Sequence, residues 1–364
     1  MTPSPVRVAV NGYGVIGKRV ADAVRLQSDM ALAGVADVVT DYRVQTAIEL
    51  NVPLFGATEE AVGAMRHAGL GPLGTLDDLI AASDIVVDCT PKKIASQNRD
   101  RYAAAGRKAI FQGGEKHDLT GFSFISSLNY QDAVGRDFVR VVSCNTTALG
   151  RVVGSLHRDG LVRTARAVLF RRGTDPWESH LNAPLNTVVP ETSTPSHQGP
   201  DLQTILPDLD IVTMAAKGPF DLGHVHFTMV ETSRPTTVDE IHMLLERAPR
   251  VAFVRAADGL GSQNAIVELM RDLGRPRADL WEVAVWEDAI AVRPDGGEVY
   301  LAYHVPNEAI VIPETIDAIR AMTRLESDPA RSMVKTDASL GIRRRFLGPP
   351  EATRAMSAAG ASKL

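Results

Sequence analysis

The stretch that decides the fold reads Val6-Arg7-Val8-Ala9-Val10-Asn11-Gly12-Tyr13-Gly14-Val15-Ile16-Gly17. It begins as a short apolar strand and continues into a Gly-x-Gly-x-x-Gly turn that opens an amphipathic helix. In such a turn the first glycine permits a tight bend. The second lets the backbone approach a pyrophosphate, and the third lets the helix pack closely on the strand. The pattern predicts a dinucleotide site formed by Gly12, Tyr13, Gly14, Val15, Ile16 and Gly17. The alternative is a plain glycine turn.

A second apolar strand, from Ala31 to Ala36, ends at Asp37. Asp37 lies 20 residues after Gly17, the separation expected of the carboxylate that holds the adenosine ribose 2′-hydroxyl. A carboxylate at this place repels a 2′-phosphate, so NAD is favoured over NADP as the cofactor. Arg43, which is close to Asp37 in the sequence, keeps NADP possible.

The next buried strand, from Asp84 to Thr90, has a polar end. Ligands of doubly wound sheets bind beyond the carboxyl ends of the strands, so Thr90 and Pro91 are predicted to line the cofactor crevice. Gly113 follows the strand from Lys108 to Phe111 and is predicted to let the backbone approach the cofactor, although a simple turn explains it equally well. The alternation of strands and helices predicts a doubly wound Rossmann-type domain of the α/β class.

The composition bounds the function classes. The chain has 364 residues, 45% of them hydrophobic and 23% charged, with a formal net charge of −5. This length predicts two domains, and the acidic balance argues against a nucleic-acid partner. The sequence shows neither a long apolar run nor a secretory leader, so we expect a cytoplasmic protein without a membrane span.

A second stretch reads Val139-Arg140-Val141-Val142-Ser143-Cys144-Asn145-Thr146-Thr147. It is predicted to be a strand that runs into a turn rich in capping residues, followed by a helix from about Ala148 to His157. Cys144 would then lie where a helix dipole and free amides stabilise a thiolate, which makes it a candidate nucleophile. The alternative is a buried structural thiol, which is the interpretation favoured for the other cysteine, Cys89.

Beyond Cys144 the pattern becomes rich in strands and predicts a mixed α+β domain with a largely antiparallel sheet. The strand from Thr164 to Arg172 ends in two arginines, of which only one can face a given pocket. An arginine there suits a phosphate, and a surface ion pair is the equal alternative. His224 and His226 share one face of a later strand. A partner for a nucleophilic cysteine is favoured over a structural pair or a zinc site, since no further ligand accompanies them and no metal is expected.

Together these features resemble the archaeal-type (type II) phosphorylating glyceraldehyde-3-phosphate dehydrogenases over roughly residues 5 to 340. The resemblance is carried by the glycine-rich turn and by residues 84–91, 112–117, 142–147, 171–176 and 196–201. It implies catalysis by Cys144, with His224 as the base and Arg171 as a phosphate ligand, in a homotetramer. The candidate ligands of substrate and phosphate are Ser143, Asn145, Thr146, Arg171 and His197.

Three segments are expected along the chain. Residues 1–143 and 308–344 are predicted to form the dinucleotide-binding domain with a returning C-terminal helix. Residues 144–307 are predicted to form the catalytic and oligomerisation domain, and residues 345–364 a disordered tail.

The reaction implied is the oxidation of glyceraldehyde 3-phosphate to 1,3-bisphosphoglycerate, with inorganic phosphate as the second substrate. It would pass through a cysteine thioester with hydride transfer to NAD or NADP, reversibly, in glycolysis or gluconeogenesis. One alternative is another acyl-thioester dehydrogenase, such as aspartate-semialdehyde dehydrogenase. The other is a non-catalytic NAD-binding redox sensor.

Overall fold

The computed structural model describes residues 4–112 and 114–347, and over these residues the first half forms a seven-stranded parallel sheet. Its strands are β1 (Val6–Asn11), β2 (Met30–Asp37), β3 (Leu54–Gly56), β4 (Ile85–Asp88), β5 (Lys108–Phe111), β6 (Ser123–Phe124) and β7 (Phe138–Val141). Their order across the sheet is β3-β2-β1-β4-β5-β7-β6, so the winding reverses between β1 and β4. Rossmann-type sheets bind dinucleotides at this switch point. The predicted doubly wound domain is confirmed.

Helices cover both faces of this sheet, which explains why its strands are almost wholly apolar. They are α1 (Val15–Arg25), α2 (Tyr42–Glu49), α3 (Glu59–His67), α4 (Leu76–Ala81), α5 (Ala95–Ala104) and α6 (Ser126–Ala133). Side chains alternate along β1, so Val8 and Val10 pack in one buried cluster with Val20 of α1. Ala9 packs in the cluster on the other face, with Leu79 of α4.

In the described part of the chain the second half forms an eight-stranded mixed sheet. Its strands are β8 (Val162–Arg171), β9 (Val189–Pro190), β10 (Ile211–Lys217), β11 (His224–Thr232), β12 (Val251–Val254), β13 (Val283–Trp286), β14 (Ala291–Val292) and β15 (Glu298–Val305). The order is β12-β13-β15-β11-β8-β10-β9, and β14 pairs with β15. The pairs β8–β10 and β12–β13 are parallel and the remaining described pairs are antiparallel. The predicted mixed, largely antiparallel sheet is confirmed.

The helices of the second half begin at the nucleophile stretch. They are α7 (Cys144–Leu149), which continues through a π-helical segment (Gly150–Gly154) into α8 (Ser155–Arg158), then α9 (Ser179–Asn182), α10 (Gln198–Gln203), α11 (Val238–Arg247), α12 (Gln263–Asp272), α13 (Val311–Thr323) and α14 (Pro329–Leu340). Helix α13 returns to the first half and packs against α1, α6 and β7.

The predicted tail begins with ordered residues. Arg345 forms an ion pair with Glu287, and Phe346 is buried. Residues 348–364 of the tail lie outside the described residues, as does Gly113. No helix within residues 4–112 and 114–347 has the length and apolar character needed to cross a membrane.

Candidate active site

The nucleophile stretch folds differently from the prediction at one point. Helix α7 begins at Cys144, four residues before the predicted start, because Ser143 is its N-cap and the Ser143 side chain accepts from the Thr146 N–H. The threonines that suggested a turn therefore lie inside the helix. This places Cys144 in the first helical turn, separated by two residues from the end of β7, at the carboxyl edge of the first sheet.

The Cys144 sulfur is surrounded by polar side chains. His224 Nε2 lies 3.4 Å from Sγ, the Asn307 Oδ1 atom lies 3.2 Å away, and the Asn145 Nδ2 donor lies 3.7 Å away. Burial raises the pKa of the Cys144 thiol to about 11. The guanidinium groups of Arg172 and Arg171 and the Asn145 backbone N–H oppose this rise without cancelling it.

The ring of His224 is fixed at both nitrogens. Its Nδ1 accepts the backbone N–H of Arg172 at 3.0 Å, and its Nε2 lies 2.6 Å from Asn307 Oδ1. Since Nδ1 accepts, the neutral ring carries its proton on Nε2, the nitrogen that faces the sulfur. Burial, followed by the proximity of His226 and Arg172, holds the pKa of His224 well below its usual value. His224 is therefore a neutral donor towards Cys144 in this state.

The register of the second sheet separates the positions of the two arginines. Val225 of β11 pairs with Phe170 of β8, and the next positions bring Arg171 beside His224 on the same face of the sheet. An Arg171 Nη1 atom is bound by the Glu191 carboxylate, while the buried Nε has no partner among the described residues. Arg172 is the next residue of the chain, and its charge also acts on Cys144 and His224.

The guanidinium of Arg172 is held by the carboxylates of Asp175 and Glu308. Both partners are acidic and the Arg172 side chain is largely buried, so its charge is already neutralised. Arg171 is therefore the better placed of the two arginines to receive an anion.

Ser143, Thr146 and His197 were also predicted as ligands of substrate or phosphate. The Thr146 hydroxyl donates to Asp201 Oδ2 at 2.9 Å and contacts the Ser143 hydroxyl at the same distance, so both hydroxyl groups are engaged. Asp201 also binds Arg140 at 2.5 Å. His197 lies at the start of α10, where partial desolvation of its ring, followed by the charge of nearby Arg171, lowers its pKa.

The glycine-rich turn has the shape that a dinucleotide requires. Gly12 has a φ of +93°, and a Cβ there would lie 2.9 Å from the Cys89 carbonyl group. A Cβ on Gly17 would lie 1.9 Å from the Gly12 carbonyl oxygen, whereas Gly14 faces open space at the start of α1. Gly12 and Gly17 thus allow close backbone packing, and Gly14 leaves room for a ligand.

The carboxylate of Asp37 lies at the end of β2, where it accepts the Tyr13 N–H at 2.7 Å and the Val38 N–H at 2.7 Å. The turn and the acid predicted to bind one cofactor are thus in direct contact. Arg43 is paired with Asp41, at 2.6 Å, rather than with Asp37.

The end of β4 and the start of α1 lie at the same carboxyl edge of the first sheet. Val15 and Ile16 form the first turn of α1. Thr90 follows β4 and donates to the buried Asp88 carboxylate at 2.5 Å, and Pro91 is exposed beside it.

The sequence did not predict two acceptors of the site, Asn307 near Cys144 and Glu191 near Arg171. Asn307 follows β15, whose Val305 pairs with His224 at the start of β11. Glu191 follows the short strand β9. Neither residue stands in a sequence motif, so only the strand pairing brings them to the site.

Comparisons with known proteins agree with this arrangement. Residues 143–288 match the C-terminal domain of glyceraldehyde 3-phosphate dehydrogenase. The glyceraldehyde-3-phosphate dehydrogenase of Methanococcoides burtonii is 45% identical over 338 residues, 93% of this chain and 99% of that protein. That of Methanobacterium bryantii is 44% identical over 337 residues, 92% and 99% of the two chains. That of Methanopyrus kandleri is 44% identical over 345 residues, 93% and 97%.

Proposed function

The chain belongs to the glyceraldehyde-3-phosphate dehydrogenase family, and on this premise we propose that it oxidises glyceraldehyde 3-phosphate to 1,3-bisphosphoglycerate at Cys144. The observation that carries the proposal is the Cys144 sulfur, 3.4 Å from His224 Nε2 at the carboxyl edge of a dinucleotide-type sheet. The similarities do not favour the two alternatives, another acyl-thioester dehydrogenase or a redox sensor.

The first sheet fits a nicotinamide dinucleotide. Gly14 leaves open space at the start of α1, and Asp37 is held at the end of β2 by the Tyr13 N–H. The bound cofactor supplies the acceptor of the hydride. Asp37 disfavours a 2′-phosphate, and the guanidinium of Arg43 is already paired with Asp41. These contacts support NAD as the cofactor, with NADP possible. Thr90, Pro91 and Gly113 stay predicted contacts.

The chemistry starts at the Cys144 sulfur. As a thiolate it attacks the aldehyde carbon, a C–S bond forms, and the carbonyl electron pair moves to oxygen. The carbon then loses a hydride, the C=O bond forms again, and a thioester of Cys144 is left. A phosphate oxygen attacks the thioester carbon, and the Cys144 thiolate leaves with the electrons of the C–S bond. The products are 1,3-bisphosphoglycerate and the free enzyme.

His224 has two tasks in this scheme. Its Nε2–H faces the sulfur and hydrogen-bonds to the oxygen that becomes negative when the aldehyde is attacked. To act as the base, the ring must first lose the contact in which Nδ1 accepts the Arg172 N–H at 3.0 Å. A change of tautomer, in which Nδ1 gains a proton and releases the Arg172 N–H while Nε2 loses its own, therefore precedes proton transfer in the proposal.

Phosphate binding is assigned to Arg171. Its guanidinium faces the site and is bound by Glu191, so an incoming phosphate would displace a carboxylate from the fork of donors. His197 lies close enough to Arg171 for the guanidinium charge to lower its pKa. Ser143 and Thr146 hold the start of α7 through their mutual contact and so support the anion site indirectly.

The proposed homotetramer has a matching surface. On the outer face of the second sheet, Met214, Val168, Phe227 and Ala302 form one row across four paired strands. Met214 is 54% exposed and Phe227 48% exposed. Apolar side chains in this number on an open sheet face are typical of a subunit contact. A cytoplasmic location stays a prediction.

The test is the reduction of NAD and NADP by glyceraldehyde 3-phosphate, with and without phosphate, followed by absorbance. Reduction that depends on phosphate supports the proposal. Reduction at an equal rate without phosphate would point to hydrolysis of the thioester instead. Aspartate semialdehyde as a faster substrate would reassign the enzyme.

A further inference from the structure

The second histidine of β11 has no place in the scheme above. His226 lies two residues after His224 and on the same face of the strand, but it does not contact the sulfur. Its ring is fully buried, and its Nε2 lies 2.8 Å from the side-chain oxygen of Asn145. Asn145 is also buried, and its amide nitrogen lies 3.7 Å from Cys144 Sγ. One amide group therefore joins His226 to the nucleophile.

The hydrogen bonds of this group run in one direction. The Asn145 Oδ1 atom can only accept, so His226 carries its proton on Nε2, and its Nδ1 accepts from the Tyr303 hydroxyl at 3.4 Å. The Tyr303 oxygen in turn accepts from the Thr228 hydroxyl at 3.0 Å. The hydrogen bonds thus form a chain from Thr228 through Tyr303, His226 and Asn145, in which each group donates to the next one towards Cys144.

The orientation of the Asn145 amide decides its effect on the sulfur. As placed, it turns an N–H towards Sγ, in addition to the Asn145 backbone N–H. The reversed amide would turn its carbonyl oxygen towards the sulfur, and two electron-rich atoms would repel each other once the thiolate forms. The acceptor that faces His226 Nε2 and the N–H that faces Sγ belong to the same orientation of the amide, so the hydrogen bond from His226 stabilises the orientation that favours the thiolate.

We propose that His226 is a positioning residue that holds the Asn145 side-chain N–H towards Cys144 and so stabilises the thiolate. The other charged or titratable groups that act on the sulfur are His224, Arg171, Arg172 and Glu308. None of these four contacts the Asn145 amide in the described structure. Asn145, predicted as a substrate ligand, is assigned to the nucleophile instead. The inference deepens the proposed function and rests on it for the role of Cys144.

The experiment compares His226→Leu, Asn145→Ala and the double variant. In each, the pH dependence of Cys144 alkylation by iodoacetamide is measured without substrate or cofactor, and kcat is measured with both. We expect each single variant to lower both rates by about ten- to hundredfold, the factor of one hydrogen bond to a charged group. The double variant should lose no more than Asn145→Ala alone, because His226 acts through Asn145.

Two conservative variants keep the test independent of folding. His226→Gln offers an amide N–H near the position of Nε2 and should recover part of the alkylation rate. Asn145→Asp keeps an acceptor for His226 but places a carboxylate oxygen against the sulfur, so alkylation should shift to higher pH, and the unfolding midpoint of each variant is measured as the control for folding.

Additive losses in the double variant would overturn the proposal. So would an alkylation profile of His226→Leu equal to that of the wild type, or no recovery in His226→Gln. If the wild-type protein fails to oxidise glyceraldehyde 3-phosphate, the proposed function fails instead. The alkylation series would still decide whether His226 acts on the sulfur.

Discussion

Cys89 and Cys144 occupy equivalent places in the first sheet and have opposite surroundings. Cys89 follows β4 and Cys144 follows β7, and a single strand, β5, separates these two. Burial raises the pKa of the Cys89 thiol well above its usual value, and the neighbouring Asp88 raises it further. At Cys144 the same burial is opposed by two arginines and a backbone N–H.

The difference comes from the second sheet. Cys89 is packed against the glycine-rich turn, where its carbonyl group meets Gly12. Cys144 faces the start of β11 and the end of β15, which bring His224 and Asn307 within 3.4 Å of the sulfur. The polar groups that make Cys144 a candidate nucleophile therefore come from the second sheet of the same chain and not from the strand that precedes the cysteine. The following predictions test that contrast.

The largest effect is expected from removing the sulfur itself. Cys144→Ser should lower the rate of dinucleotide reduction by about 10⁴-fold or more, because no thioester forms. Cys89→Ala should leave it nearly unchanged, since Cys89 only packs beside the turn. The measurement is the absorbance of the reduced cofactor. Similar losses in the two variants would remove the distinction between the cysteines.

The next largest effect concerns what the second sheet supplies. His224→Ala should lower kcat by about a thousandfold, because the donor and base next to the sulfur are both lost. Alkylation of Cys144, followed by mass spectrometry of its peptide, should slow in parallel, whereas Cys89 should stay unmodified. Retention of a large share of wild-type activity would show that another group serves Cys144.

The affinity for phosphate should depend on Arg171. Arg171→Ala is expected to raise the KM for phosphate by about ten- to hundredfold, the cost of losing charge-assisted hydrogen bonds. Glu191→Gln should lower the same KM, because it removes the carboxylate that competes for Arg171. Steady-state kinetics with varied phosphate provide the measurement. A larger phosphate KM in Arg172→Ala than in Arg171→Ala would reverse the assignment.

The smallest effect is the response of the thiols to a change of one pH unit. With a pKa of about 11, Cys144 is mostly neutral at pH 7, and its thiolate fraction rises as the pH increases. Its alkylation rate in the free enzyme should therefore grow by about tenfold per pH unit up to that pKa. Cys89 should stay unreactive over the same range. A plateau of the Cys144 rate near neutral pH would mean that the thiolate is already formed.

Local patterns in the sequence were sufficient for the fold class and for much of the site. The Gly-x-Gly-x-x-Gly turn and Asp37 are predicted from their spacing, and the structure joins them through the Tyr13 N–H. Cys144 is predicted from its place after an apolar strand. Such signals survive in a sequence because each depends on residues near one another in the chain. The start of α7 was missed because threonines suit both a turn and a first helical turn.

Three features were decided only by the tertiary structure. Asn307 reaches Cys144 because β15 pairs with β11, and residues 163 positions apart in sequence carry no local sign of that pairing. The separate contacts of His224 and His226 depend on where α7 lies over the sheet. The pKa of Cys144 depends on burial, which the helix start alone does not reveal. The sequence by itself therefore determined which residue types are present for catalysis. The packing of two domains decided which of them touch the sulfur, because distance and burial are properties of the folded chain.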